Sequence, residues 1–317
     1  MSVLRRTILG ALAASLALVA LPLKADTPLS VVATTGMIAD AAREVGGELV
    51  EVKSLMGPGV DPHAYRQTRS DIVAMSRADL VLWHGLFLEA QMEDFLRDLA
   101  TDRNVVAVAE QVPEAKLVAH DDYSDKFDPH IWMDPDIWAY VVVAVRDALI
   151  ATDPASAETF RSNADAHLAE VKALSTYASN VLSSVPGEDR VLLTSHDAFN
   201  YFGEKYGFEV MGIQGISTES EAGLLRISEL VNMLVERDIR AVFVESSVSD
   251  RNIRALIEGA AAQGHDVVIG GELFSDAMGE AGTYEGTYIG MIDHNATVVS
   301  GALGGSAPAT GMQGLLN

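Results

Sequence analysis

Two histidines in this 317-residue chain stand behind the same dipeptide, His63 in "GPGVDPHAYRQT" and His130 in "DPHIWMDP". Two further polar residues follow apolar, β-branched runs: His196 closes "VLLTSH", and Asp276 comes just after "VVIGGELF". In an open parallel sheet the C-terminal ends of strands are where ligands are held. Neutral imidazole and carboxylate bind borderline divalent ions, so three His and one Asp form a four-ligand metal set. A single strand-end histidine is ordinarily a satisfied polar residue. Four candidates placed alike, two of them inside a duplicated motif, favour a shared ion instead. Proline fixes its own φ and restricts the preceding Asp, so each Asp-Pro-His loop arrives partly organised. Asp61 and Asp128 are read as loop-shaping groups, bonding local amides or supporting their His, and not as ligands.

Five histidines remain. His84, in "LVLWHGLF", follows a strand and is a candidate for supporting the ligands from behind. His120, in the acidic loop "VAHDDYSDKFD", and His167 are expected to be solvated. His265, in "AQGHDVV", reads as a turn residue before a strand, and His294, in "IDHNATVV", as capping or packing a helix.

The elements that must position these groups follow an α/β pattern. Short apolar runs alternate with helical stretches: "LSVVATT", "ELVEVKSLM", "ADLVLWHG" and "NVVAVAE" in the first half, then "RVLLTSH", "FEVMGIQ", "IRAVFVESS" and "DVVIGGELF" in the second. This predicts two α/β lobes, each with a parallel four-stranded sheet flanked by helices. Between them, residues 153–186 are rich in Ala, Leu, Glu and Lys, with Pro only near the ends. They predict one long rigid backbone helix of about 45 Å, capped by Asp153 and started by Pro154. The expected boundaries are a signal peptide over 1–25, an N-terminal lobe over 26–152, the linking helix over 153–186, a C-terminal lobe over 187–303 and a flexible tail over 304–317. The signal peptide is inferred from Arg5-Arg6, the apolar run that follows and the small residue Ala25, and it implies export to the periplasm. The chain has no cysteine, hence no disulfide and no lipid-bearing thiol. With 45 acidic against 22 basic residues and a net charge of −23, nucleic acid and anionic membrane are poor partners and cations are attracted. No stable membrane insertion is expected, and the expected assembly is a monomer.

Several stretches in order, "GPGVDPHAY", "DPHIWMDP", "TSHDAFNYFGEKYGFEV", "QGISTESEAG", "FVESSVS" and "GGELFSDAMGEAGTYEGTY", resemble the cluster A-I solute-binding proteins of ABC transporters, the TroA-like zinc and manganese receptors. The resemblance covers roughly residues 28 to 302. It implies two α/β lobes joined by a backbone helix, with metal held at their interface by His63, His130, His196 and Asp276. The family's third ligand is His or Glu, and here it is His196. It also implies a receptor that captures Mn²⁺ and/or Zn²⁺ and docks on an ABC permease driven by its ATPase subunit. Three imidazoles with one carboxylate favour zinc. The lack of the His-rich loop carried by zinc-type members favours manganese, which is placed ahead as cargo. Imidazole must be neutral to bind, so affinity is expected to fall with pH through the imidazole range. The alternative from another class is a zinc-dependent metallohydrolase of the periplasm. Against it stand the absence of a His-Glu-x-x-His motif and a ligand set that leaves no open position.

Overall fold

The computed structural model describes residues 27–316 apart from Asp121, Asp122, Ser124 and Glu221, so the expected signal peptide lies outside the described residues. The four apolar runs of the first half form β1 (Leu29–Ala33), β2 (Val50–Ser54), β3 (Leu80–Trp83) and β4 (Val105–Ala107). They pair in parallel in the order β2-β1-β3-β4, with α1 (Gly36–Gly46), α2 (Arg69–Arg77) and α3 (Glu93–Leu99) as crossovers. β3 is apolar and buried at every position, as a strand covered on both faces must be. Thr68 and Asp71 start α2 with a reciprocal capping box, which fixes where the chain leaves the His63 loop.

The second half supplies β5 (Val191–Thr194), β6 (Glu209–Gly212), β7 (Ala241–Glu245) and β8 (Val268–Leu273). Their helices are α6 (Asn200–Tyr206), α7 (Leu224–Glu236), α8 (Arg251–Ala262) and α9 (Tyr288–Ala302). The α/β class holds, but the second lobe is not one four-stranded ladder. Its strands form two parallel pairs, β5 with β6 and β7 with β8, and β5 lies beside β7 without joining it in a sheet. Within the second pair the register shifts between Val242 and Phe243, whose partners Ile269 and Gly271 leave Gly270 as an extra residue that bulges β8. At the strand ends the link is a side chain, the Glu245 carboxylate accepting the backbone N–H of His196.

Between the sheets run α4 (Pro135–Thr152), capped by Asp134 with Pro135 in its first turn, and α5 (Ala157–Leu182), which follows a 3-10 turn over Pro154–Ser156. At 1.5 Å per residue, the 26 residues of α5 extend about 39 Å. Phe160, Ala164, His167, Val171, Leu174 and Ala178 form its buried stripe against α1, α4 and α9. His167 is therefore not solvated as expected; it is 3% exposed, because it falls at helical spacing between Ala164 and Val171. One apolar core runs through both lobes by way of α1, α4, α5 and α9, with a smaller cluster under the outer helices of each lobe.

The residues after α9 were expected to be loose, yet they fold back onto it. Met312 donates its N–H to Asp293 at 2.7 Å, Ser306 donates to Ser184 Oγ at 2.7 Å, and Leu316 is buried. Asp293 is fully buried in α9, and a buried carboxylate must collect donors. No helix among the described residues is long and apolar enough to cross a membrane.

Candidate metal centre

The structure brings His63, His130, His196 and Asp276 together. All four are buried, and one potential ligand atom from each lies within 4.8 Å of all the others. His63 Nε2 is 3.2 Å from His130 Nε2, and Asp276 spans two rings, Oδ1 at 3.3 Å from His130 Nε2 and Oδ2 at 3.3 Å from His196 Nε2. Four ligands at about 2.1 Å from a tetrahedral ion stand about 3.4 Å apart, so the cluster already has the spacing of a coordination shell. His196 Nε2 and Asp276 Oδ1 are buried without a hydrogen-bond partner. Such atoms ordinarily find one, and an ion at the convergence point would satisfy both.

Each ligand stands where an element ends. His63 follows β2, His130 enters a 3-10 turn over Ile131–Met133 ahead of α4, His196 follows β5, and Asp276 follows β8. Beside each histidine is a carboxylate that accepts its backbone N–H, and at His130 and His196 it also reaches the ring. Asp61 Oδ1 accepts the N–H of His63 at 2.8 Å. Asp128 Oδ1 accepts the N–H of His130 at 2.9 Å and meets its Nδ1 at 2.7 Å. Glu245 accepts the N–H of His196 at 2.8 Å through Oε1 and meets its Nδ1 at 2.5 Å through Oε2. A carboxylate on Nδ1 fixes that nitrogen as donor and leaves the Nε2 lone pair for the ion. The sequence singled out Asp61 and Asp128 but not Glu245, although it ends "AVFVE" and the strand-end rule applied to it as well.

Two further groups brace the site. His84 is buried, with Nε2 at 2.8 Å from the Pro129 carbonyl and its ring edge-on to Trp132, so it braces the His130 loop. Trp132 lies edge-on to His130 and donates its indole N–H to the carbonyl of Ser275 at 2.7 Å, next to Asp276. Glu89, also missed, is fully buried and accepts from Thr34 Oγ, His84 N and Gly85 N. Burial raises its carboxyl to about 7, against those bonds. It anchors a segment in which Gly85, Leu86 and Phe87 all have positive φ, a conformation that two non-glycine residues hold only when their surroundings impose it.

The remaining histidines fall elsewhere. His120 is 6% exposed, against expectation; the bridge between Ala119 and Phe127 pinches its loop closed, and its ring lies edge-on to Tyr123. His265 sits before β8 and pairs with the Ile239 carbonyl, and His294 packs from α9 toward β8 through the Glu272 carbonyl.

The electrostatics suit a positive guest. Burial would push His130 down, but Asp128 and Asp276 outweigh it and hold the ring at about 9. Burial likewise opposes the charged His196, yet Asp276 and Glu245 hold it well above its ordinary value. At His63 burial wins and pushes the ring down to about 3. Burial also opposes the charged Asp276, but His196 and His130 keep it well below the usual carboxylate range. The pull that holds protons at these rings is the pull a divalent cation would feel. A cavity of about 110 Å³, bordered by Met56, Pro58, Val60 and Met278, adjoins the site at Asp276.

The chain is 47% identical over 279 residues to the manganese-binding lipoprotein MntA of Bacillus subtilis (strain 168), covering 88% of this chain and 91% of that one. It is 33% identical over 275 residues to the iron-binding protein YfeA of Yersinia pestis, covering 86% of each. The solved structure of the periplasmic zinc binding protein TroA from Treponema pallidum superposes with a TM-score of 0.85 at 44% identity, over 87% of this chain and 99% of that one. The family model for the periplasmic zinc-uptake complex component A, ZnuA, matches residues 31–302. With that match over most of its length, on the two-lobed fold of TroA, the chain belongs to the ZnuA family.

Proposed function

We propose that this protein is the periplasmic metal receptor of an ABC importer, binding one Mn²⁺ or Zn²⁺ through His63, His130, His196 and Asp276 and handing it to a membrane permease worked by an ATPase subunit. The convergence of four buried ligand residues, in which His196 Nε2 and Asp276 Oδ1 make no hydrogen bond, carries the reading. The names of the relatives, which bind manganese, iron and zinc, support a divalent transition metal as cargo. Several relatives are lipoproteins. This chain has no cysteine to carry a lipid, so we place it free in the periplasm as a monomer.

The ligand chemistry alone favours zinc, which also outranks manganese in affinity at almost any such site. We keep manganese ahead as the transported ion, on the identity to MntA and the short His-poor loop between the first two ligands. Four protein ligands close a tetrahedral shell and leave no position for an activated water, which argues for a receptor over a hydrolase. Elemental analysis of protein isolated from its native periplasm tests the cargo. A His63→Ala/Asp276→Ala double variant is expected to lose stoichiometric metal binding by calorimetry, and unchanged stoichiometry would remove the ligand assignment.

A further inference from the structure

The two Asp-Pro-His segments share more than their tripeptide. In each, one carboxylate oxygen accepts the backbone N–H of its own histidine. In each, the second oxygen is taken by a side chain of the other lobe: Thr218 Oγ donates to Asp61 Oδ2 at 2.6 Å, and Asn200 Nδ2 donates to Asp128 Oδ2 at 3.1 Å. The carboxylate that shapes a ligand loop is thus also the fastening of that loop across the cleft.

The two fastenings are unequal. Asp128 is held twice, since Tyr201 OH also donates to its carbonyl at 2.9 Å, and both Asn200 and Tyr201 belong to α6. Asp61 depends on Thr218, which sits on the segment between β6 and α7. That segment is folded mostly on itself, Gln214 Nε2 donating to the carbonyls of Thr218 at 3.3 Å and Ser220 at 3.0 Å. Among the described residues, its other hydrogen bond to the first lobe joins Glu219 to Gln91 at the exposed surface. The segment ends at Gly223, where a Cβ would meet nothing within 4 Å and α7 begins without a side-chain cap.

We propose that Thr218 is a positioning residue for metal retention: its hydroxyl latches Asp61, and opening this latch frees the His63 loop first, so the ion leaves by losing His63 before the other ligands. The inference rests on reading the cluster as a metal site. With the latch open, Asp61 keeps its bond to the His63 N–H but no longer ties that loop to the second lobe. His130 stays braced by His84, Trp132 and α6, and His196 by Glu245. A hydrogen bond to a charged group is strong enough to change a dissociation rate about ten-fold or more when it is removed.

The test is zinc release from the full-length protein into excess EDTA, followed by stopped flow. Thr218→Val keeps the side-chain shape without the hydroxyl and is expected to release zinc about ten-fold faster or more, with Thr218→Ser within about two-fold of wild type. The Asp61→Ala/Thr218→Val pair should be no faster than Asp61→Ala alone, because without the carboxylate the Thr218 hydroxyl has nothing to latch. Asn200→Ala should have the smaller effect, since Tyr201 still holds Asp128. The thermal midpoint of the metal-free Thr218→Val protein should fall by no more than a few degrees, the cost of one hydrogen bond, and Thr218→Ser should restore it. A wild-type release rate in Thr218→Val, additive effects in the pair, or a lowered metal-free midpoint that serine does not restore would overturn the latch. Failure of the wild-type chain to take up stoichiometric zinc would instead remove the reading of the site.

Discussion

Glu245 does for His196 what Asp128 does for His130, but from a different strand and 49 residues away along the chain. Glu245→Gln keeps the shape and one acceptor oxygen, and that oxygen cannot serve both the N–H and the Nδ1–H of His196. Metal affinity is expected to fall about 10- to 100-fold with the fold intact, as for other groups that orient a ligating imidazole. Competition titration against a chelating dye, with circular dichroism as control, would show it. The four candidate ligands were legible because their residue types stood out at strand ends. Glu245 was not, since a glutamate after an apolar run has the look of a surface residue until β5 and β7 are known to be neighbours. Thr218 and Asn200 were hidden for the same reason: their partners, Asp61 and Asp128, lie in the other lobe. His167 is a different kind of miss, because the helical phase of α5 already placed it on the buried stripe.

At the scale of elements, α1 and α9 meet through a buried carboxylate. Asp40 accepts the N–H of Tyr288 at 2.9 Å, at the start of α9. Burial raises its carboxyl from 3.8 to about 6, the Tyr288 bond pulling the other way. Between those values the folded chain holds more of this proton than the unfolded chain does, so stability falls as pH rises. The Asp40 contribution is fully present below about pH 4 and lost above about pH 6, roughly 3 kcal/mol in all. Asp40→Asn retains an oxygen for Tyr288 and cannot ionise, so its stability relative to wild type should be higher at pH 7 than at pH 4. Urea unfolding at the two pH values measures that difference, and equal differences would count against it. The eight strands among the described residues were legible as β-branched runs bounded by turns. How they pair was not: β5 and β7 lie side by side with a side-chain link in place of a ladder, and such a link leaves no periodic trace.

The molecule as a whole is tied together more tightly than two lobes on a strut. Its main core is continuous across both lobes, and the residues after α9 are drawn back by the buried Asp293, whose need for donors outweighs the small, flexible composition that made them look loose. Ion loading is therefore expected to move loops rather than swing lobes. Trp132, the residue that bonds the first lobe to the Asp276 loop, gives this arrangement an optical consequence. Its ring lies 5.2 Å from that of His130, close enough for the ion in the cleft to act on its excited state. Manganese, an open-shell ion, should quench this emission, whereas zinc, with its filled d shell, should not. A fluorescence titration of the unlabelled wild-type chain is then expected to dim with Mn²⁺ and recover when Zn²⁺ displaces it, with equal dimming by both ions the result that would refute it. The indole that braces the lobes would serve as the protein's own report of which metal it carries.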